Sequence, residues 1–134
     1  MNPEEHGPQL ALLWWTLGWA MVAFILYSTL APSRYVPDLH VNDKIEHATA
    51  FFGLTLWFGG LVRRRRLWVL GVVMSAFGAA IEVAQGTMGL GRDMDVHDWI
   101  ADTGGVLVAL GLLLIVVPRS RGPWLRWAET LIGH

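Results

Sequence analysis

Cysteine is absent from this chain of 134 residues, which excludes disulfides and thiolate metal sites. Charge is scarce as well: Asp, Glu, Lys and Arg make up 16% of the residues, against about a quarter in an ordinary soluble domain. Neither sign dominates. The formal net charge is −1, so there is no global basic field for nucleic acid. The N-terminus, MNPEEHGPQ, has no Lys or Arg. The apolar run behind it is about twice the usual length of a signal-peptide core, so a retained anchor is expected rather than a cleaved leader. What the chain does have is 54% hydrophobic residues, eight Trp and fifteen Gly, a composition that points to a bilayer. Its length leaves room for one domain, 1–134.

Residues 10–30, LALLWWTLGWAMVAFILYSTL, carry no charge over 21 positions. At 1.5 Å per residue they reach roughly 31 Å, enough to cross the hydrocarbon. Pro32 and Pro37 then mark a loop. A second run at about 45–62 takes in Glu46 and His47 and ends at Arg63–Arg66; a third at about 67–85 contains Glu82 and is broken by Gly86, Gly89 and Gly91. A fourth at about 99–117 contains Asp102 and stops at Pro118. The tail places Trp124, Leu125, Trp127, Leu131 and Ile132 in the pattern of a short amphipathic helix lying on the membrane surface. The expected fold is therefore all-α: a polytopic membrane protein, a bundle of four transmembrane helices with a short C-terminal amphipathic helix. Four spans put both termini and the 63–66 loop on one side, together with seven arginines, against Arg34, Lys44 and Arg92 on the other. This asymmetry makes both termini cytoplasmic and turns the 31–46 and 86–98 loops outward.

One stretch departs from the apolar pattern. EVAQGTMGLGRDMDVHDWIADTGG, residues 82–105, carries Glu82, Gln85, Arg92, Asp93, Asp95, Asp98 and Asp102. Loop solubility accounts for Asp93, but Glu82 and Asp102 lie a turn inside apolar helix. Depth can be counted from the arginines. His47 is 16 residues before Arg63, Glu82 is 16 after Arg66, and Asp102 is 17 before Arg119. All three then sit about 24–25 Å from the inner boundary. Asp43, Gln85 and Asp98 form a layer further out, at roughly 28–32 Å. In each helix the polar positions are i and i+3 or i+4, so they share a face. Each outer loop is also followed by an acid and, four residues later, a second polar residue: Asp43 and His47, then Asp98 and Asp102. Intramembrane charges cost on the order of 2.5–3.5 kcal/mol, so they face a bundle interior or a wet cavity. A shared polar pocket near the outer face is the economical reading, closed over by Lys44, Arg92, Asp95 and His97.

The order DKxxH (Asp43, Lys44, His47), ExxQ (Glu82, Gln85), RxxDxxD (Arg92, Asp95, Asp98) and DxGG (Asp102, Gly104, Gly105) resembles the VanZ-like family of small membrane proteins over about residues 40–105. One departure is Asp102, where that family often has Asn. The resemblance implies a cell-envelope role in the bacterial inner membrane, and the family's namesake is linked to low-level teicoplanin resistance. It brings no established reaction.

Each motif also has a plain structural reading. Asp43 and Lys44 suit a helix cap, Glu82 and Gln85 suit interhelical hydrogen bonds, and Arg92 suits a loop salt bridge or a partner for Glu82. Gly104, Gly105 and Gly111 suit close helix packing. Trp14, Trp15, Trp68, Trp99, Trp124 and Trp127 suit an aromatic belt. His47, Glu82, His97, Asp98 and Asp102 include nitrogen and oxygen donors, but no HExxH-like spacing supports a metal, so neither metal nor cofactor is assigned. The functional reading assigns ligand binding to Asp43, Lys44, His47, Glu82, Gln85, Arg92, Asp95, Asp98 and Asp102. The expected ligand is an anionic lipid head group or a lipid-linked cell-wall precursor, with membrane lipids as partners and no nucleic acid. The alternative is an intramembrane enzyme on such a lipid, with Glu82, Asp98 or His47 as general acid or base and Arg92 stabilising developing charge.

Overall fold

The computed structural model describes residues 3–35, 42–89, 91–116 and 130, and every regular element among them is helical. Helix α1 spans Pro3–Leu30 and is followed by a single 3-10 turn, Ser33–Tyr35. Helix α2 spans Asp43–Gly59, and a second 3-10 turn, Arg64–Arg66, leads into α3, Leu67–Thr87. Helix α4 spans Val96–Val116. Three stretches, Pro8–Leu30, Arg64–Thr87 and Val96–Val116, are long and apolar enough to cross a membrane. The expected C-terminal amphipathic helix, with Trp124 and Trp127, lies outside the described residues, Thr130 aside.

The helix bounds follow from local chemistry. Helix α2 begins at Asp43 because the Asn42 side-chain oxygen accepts the Lys44 N–H at 3.0 Å. Asp43 and Glu46 then occupy the first turn, where the helix dipole favours acids. It ends at Gly59, where the Gly60 N–H closes back on the Leu56 and Trp57 carbonyls at 3.1 and 3.2 Å. The 17 residues of α2 reach about 25 Å, shorter than the expected 45–62 run. Helix α4 starts three residues before the expected 99, because Asp95 caps it: its carboxylate accepts the His97 N–H at 2.8 Å. Gly89, at φ +64°, and Gly91, at φ +74°, make the turn that follows α3.

The core sits on one stripe of each helix. In α2 the buried positions are His47, Phe51, Leu54, Thr55 and Phe58, the spacing of a single helical face. In α4 they are Asp98, Asp102, Gly105, Val106, Ala109 and Leu113. In α3 Glu82 and Gln85 continue the face of Met74, Gly78 and Ile81. The polar residues are therefore carried inward by the same periodicity that buries the apolar ones. Helices α2 and α4 touch most extensively. They come close because a Cβ on Gly105 would collide with the Ala48 carbonyl oxygen. Gly104 and Gly111 were expected to pack in the same way. Among the described residues a Cβ at either would meet nothing within 4 Å.

Helix α1 lies at the periphery. Its Gly18 faces the Phe58 ring of α2, and Trp57 Nε1 donates to the Trp14 carbonyl at 2.9 Å. The Trp14 and Trp57 rings pack with centroids 4.5 Å apart, so Trp14 helps to hold α1 against α2. Trp68 is 70% exposed and matches a boundary role. Leu12, Trp19, Phe24 and Tyr27 present a broad apolar surface, as a helix facing acyl chains would.

Candidate functional site

His47 of α2, Glu82 of α3 and Asp102 of α4 meet inside the helix packing, as the common depth count required. His47 is 6% exposed, Glu82 3% and Asp102 0%. His47 Nδ1 and Asp102 Oδ1 are hydrogen-bonded at 2.8 Å. His47 Nε2 faces the other way, 3.7 Å from Asp98 Oδ2. Asp98 is itself buried and accepts from Lys44 Nζ at 2.8 Å, while Lys44 also donates to Asp95 Oδ2 at 3.0 Å. A chain of contacts thus runs from the exposed loop through Lys44, Asp98 and His47 to Asp102. The Asp95 carboxyl is held down at about 2, first by the His97 N–H and then by the Lys44 ammonium.

Glu82 does not pair with Arg92. Its Oε2 accepts the backbone N–H of Asp95 at 2.9 Å, which fixes the start of α4 against the end of α3. Arg92 instead reaches α1, where Nη2 donates to the Ser28 carbonyl at 3.1 Å. Gln85 does the same one residue on, donating from Nε2 to the Thr29 carbonyl at 2.8 Å. These two residues therefore tie α3 and its following loop to α1 and leave the His47 cluster. The last turn of α1 is a part of the site that sequence reasoning missed. The signal available was the polar pair Ser28–Thr29, breaking an otherwise apolar helix. His97 is bound to Asp95 at 3.1 Å and faces solvent, apart from the buried cluster.

Among the described residues, three buried polar atoms around the site have no hydrogen-bond partner: Glu82 Oε1, Asp102 Oδ2 and Arg92 Nε. Asp102 Oδ2 points at the bare face of Gly78, where a Cβ would lie only 2.9 Å away. One ligand atom each from His47, Glu82 and Asp102 lie within 4.8 Å of one another, and the same holds for Asp43, His47 and Asp98. Linear spacing gave no metal motif because these donors come from separate helices.

Beside His47 a cavity of about 620 Å³ opens between α1 and α2. Phe24, Ile25 and Phe51 give it apolar walls, and His47, Asp43 and Arg92 give it a polar end. Glu82 and Asp102 stand behind His47, away from this lining. Comparison with protein-family models, with curated proteins and with solved structures finds no match for the chain.

Proposed function

We propose that the chain is a VanZ-like, multi-pass protein of the bacterial cytoplasmic membrane. In this reading α2 is a fourth span, both termini are cytoplasmic and the α1–α2 cleft opens outward. The cleft receives the anionic head group of a lipid or of a lipid-linked cell-wall precursor, which links the protein to the cell envelope and to glycopeptide susceptibility. One observation carries the head-group assignment. Arg92 lines the cleft with its Nε–H buried and unpartnered, and a guanidinium donor left over at the end of an apolar slot suits a phosphate or carboxylate. Phe24, Ile25 and Phe51 suit the first methylenes of an acyl or prenyl chain. Asp43 and Glu46, both exposed along the same lining, suit amine or hydroxyl groups carried beside the anion. The motif order shared with the VanZ-like family supports the envelope setting, and the arginine-rich 63–66 turn supports the orientation.

A second reading, an intramembrane enzyme on the same lipid class, is favoured by one contact. His47 lines the cleft and is held at 2.8 Å by fully buried Asp102, the arrangement that orients an imidazole for proton transfer. His47 would act as general base or acid, with Asp98 or Glu82 as the other proton carrier and Arg92 stabilising negative charge.

The test is binding to nanodiscs doped with labelled lipid phosphate. Anionic head groups should bind saturably, zwitterionic controls should not, and Arg92→Ala should weaken binding at least about tenfold, the value of a charge-assisted hydrogen bond. Equal binding to both lipids, or no effect of Arg92→Ala in a folded variant, rejects head-group recognition. Product release from the same lipids, lost in His47→Gln, selects the enzyme.

A further inference from the structure

We propose that His47, Glu82 and Asp102 form a divalent-cation site enclosed by α2, α3 and α4. The donor set is one imidazole nitrogen and two carboxylates, a mixture suited to Mn²⁺ or Zn²⁺. Donor atoms of the three residues lie within 4.8 Å of one another. Bond lengths near 2.1 Å place adjacent ligands about 3.0 Å apart around an octahedral ion and about 3.4 Å apart around a tetrahedral one, both shorter than the 4.8 Å limit.

The orphaned oxygens point independently to an ion. Each buried carboxylate keeps one oxygen in the protein's own network: Glu82 Oε2 on the Asp95 N–H, and Asp102 Oδ1 on His47. Each has its other oxygen buried and unpartnered. A buried polar atom without a partner costs about 1–3 kcal/mol, and more when charged. Two of them on facing helices, beside a shared imidazole, have the arrangement of metal ligands whose remaining atoms are held by outer hydrogen bonds. The charge count agrees. Lys44 is engaged by Asp95 and Asp98, and Arg92 turns to Ser28. Among the described residues His47 is thus the only basic side chain bonded to Asp102, and none is bonded to Glu82. A divalent cation would neutralise both carboxylates. Gly78, one turn before Glu82, adds no side chain to crowd Asp102 Oδ2.

Cation binding needs no lipid, so its failure would leave head-group recognition standing, and the reverse also holds. The experiment uses the full chain in detergent micelles, stripped with EDTA and titrated with Mn²⁺ alone, then with Zn²⁺ in competition. Saturable binding of one Mn²⁺ per chain is expected, with a histidine ¹⁴N coupling in its pulsed EPR spectrum and displacement by Zn²⁺. Glu82→Gln and Asp102→Asn keep the side-chain shapes and should each weaken Mn²⁺ binding at least about tenfold. No saturable binding, no nitrogen coupling, or unchanged affinity in both folded variants overturns the site. Should either variant fail to fold, the nitrogen coupling of the wild-type protein decides, and its absence rejects the proposal.

Discussion

The two ends of the helix packing differ in chemistry more than in shape. At one end a cavity of about 620 Å³ adjoins His47 and Arg92. At the other, a cavity of about 560 Å³ lies among Arg64, Arg65, Trp68 and Leu110. Their sizes are nearly the same. At the arginine end Arg63, Arg65 and Arg66 are exposed, and Arg64 donates to the Leu114 carbonyl at 2.6 Å, a cation placed on the carbonyls that end α4. At the His47 end, four ionisable side chains are buried across three helices: Asp98 and Asp102 contact His47, and Glu82 accepts the Asp95 backbone N–H. Water can solvate the first set at little cost, whereas the second persists only because partners or a ligand offset its desolvation. Burial of charge, and not cavity volume, sets the two ends apart.

Several substitutions break or sharpen that contrast. The largest loss is expected from Gly105→Val, whose side chain must displace the Ala48 backbone. Overpacking of this kind costs about 1–3 kcal/mol at the low end. Because backbone must move, we expect loss of folded protein by size-exclusion chromatography, whereas Gly104→Val, in open space, should elute as wild type. Next comes Asp102→Ala, which strips His47 of its buried partner. Removing one member of a buried pair costs about 3–5 kcal/mol, to be read as a lower thermal midpoint in detergent, while Arg65→Ala at the opposite end should not move it. Third, Arg92→Ala should lower the melt less than Asp102→Ala does, through the lost Ser28 contact, and reduce anionic-lipid binding, and Arg65→Ala should leave that binding intact. If Arg65→Ala matched Arg92→Ala, the two ends would be equivalent and the contrast would fail.

The smallest effect concerns pH. Asp95 is held at about 2 in the folded protein, against about 3.9 for an unfolded Asp. Its contribution is complete above the unfolded value and is lost as pH falls from about 4 towards about 2. Asp95→Asn should therefore flatten the stability profile in that window and slightly lower stability near neutrality, where the contribution is complete. An identical acid limb in both proteins would show that Asp95 contributes nothing.

The sequence carried the meeting of His47, Glu82 and Asp102 because helix rise set them at one level and the cost of charge among apolar residues turned them inward. Side-chain pairing was less legible. Glu82 and Arg92 looked complementary, yet Glu82 takes a backbone amide and Arg92 crosses to α1, since loop geometry, and not charge sign, decides which groups meet. The role of α1 was hidden for a related reason: it contributes backbone carbonyls, which every residue possesses. Gly105 was readable as a contact, but Gly104 and Gly111 were not distinguishable from it without knowing which face α4 turns to α2. The end of α2 at Gly59 depended on a tightened turn within an apolar run and left no mark in composition.

The hydrogen bond from the Asp95 amide to Glu82 Oε2 has a consequence for observation. That amide proton belongs to the polypeptide at the threshold of α4, yet its acceptor is a side-chain oxygen deep between helices. Its exchange with deuterium is thus gated by the carboxylate, and one peptide spanning residue 95 becomes a spectator of whatever Glu82 engages.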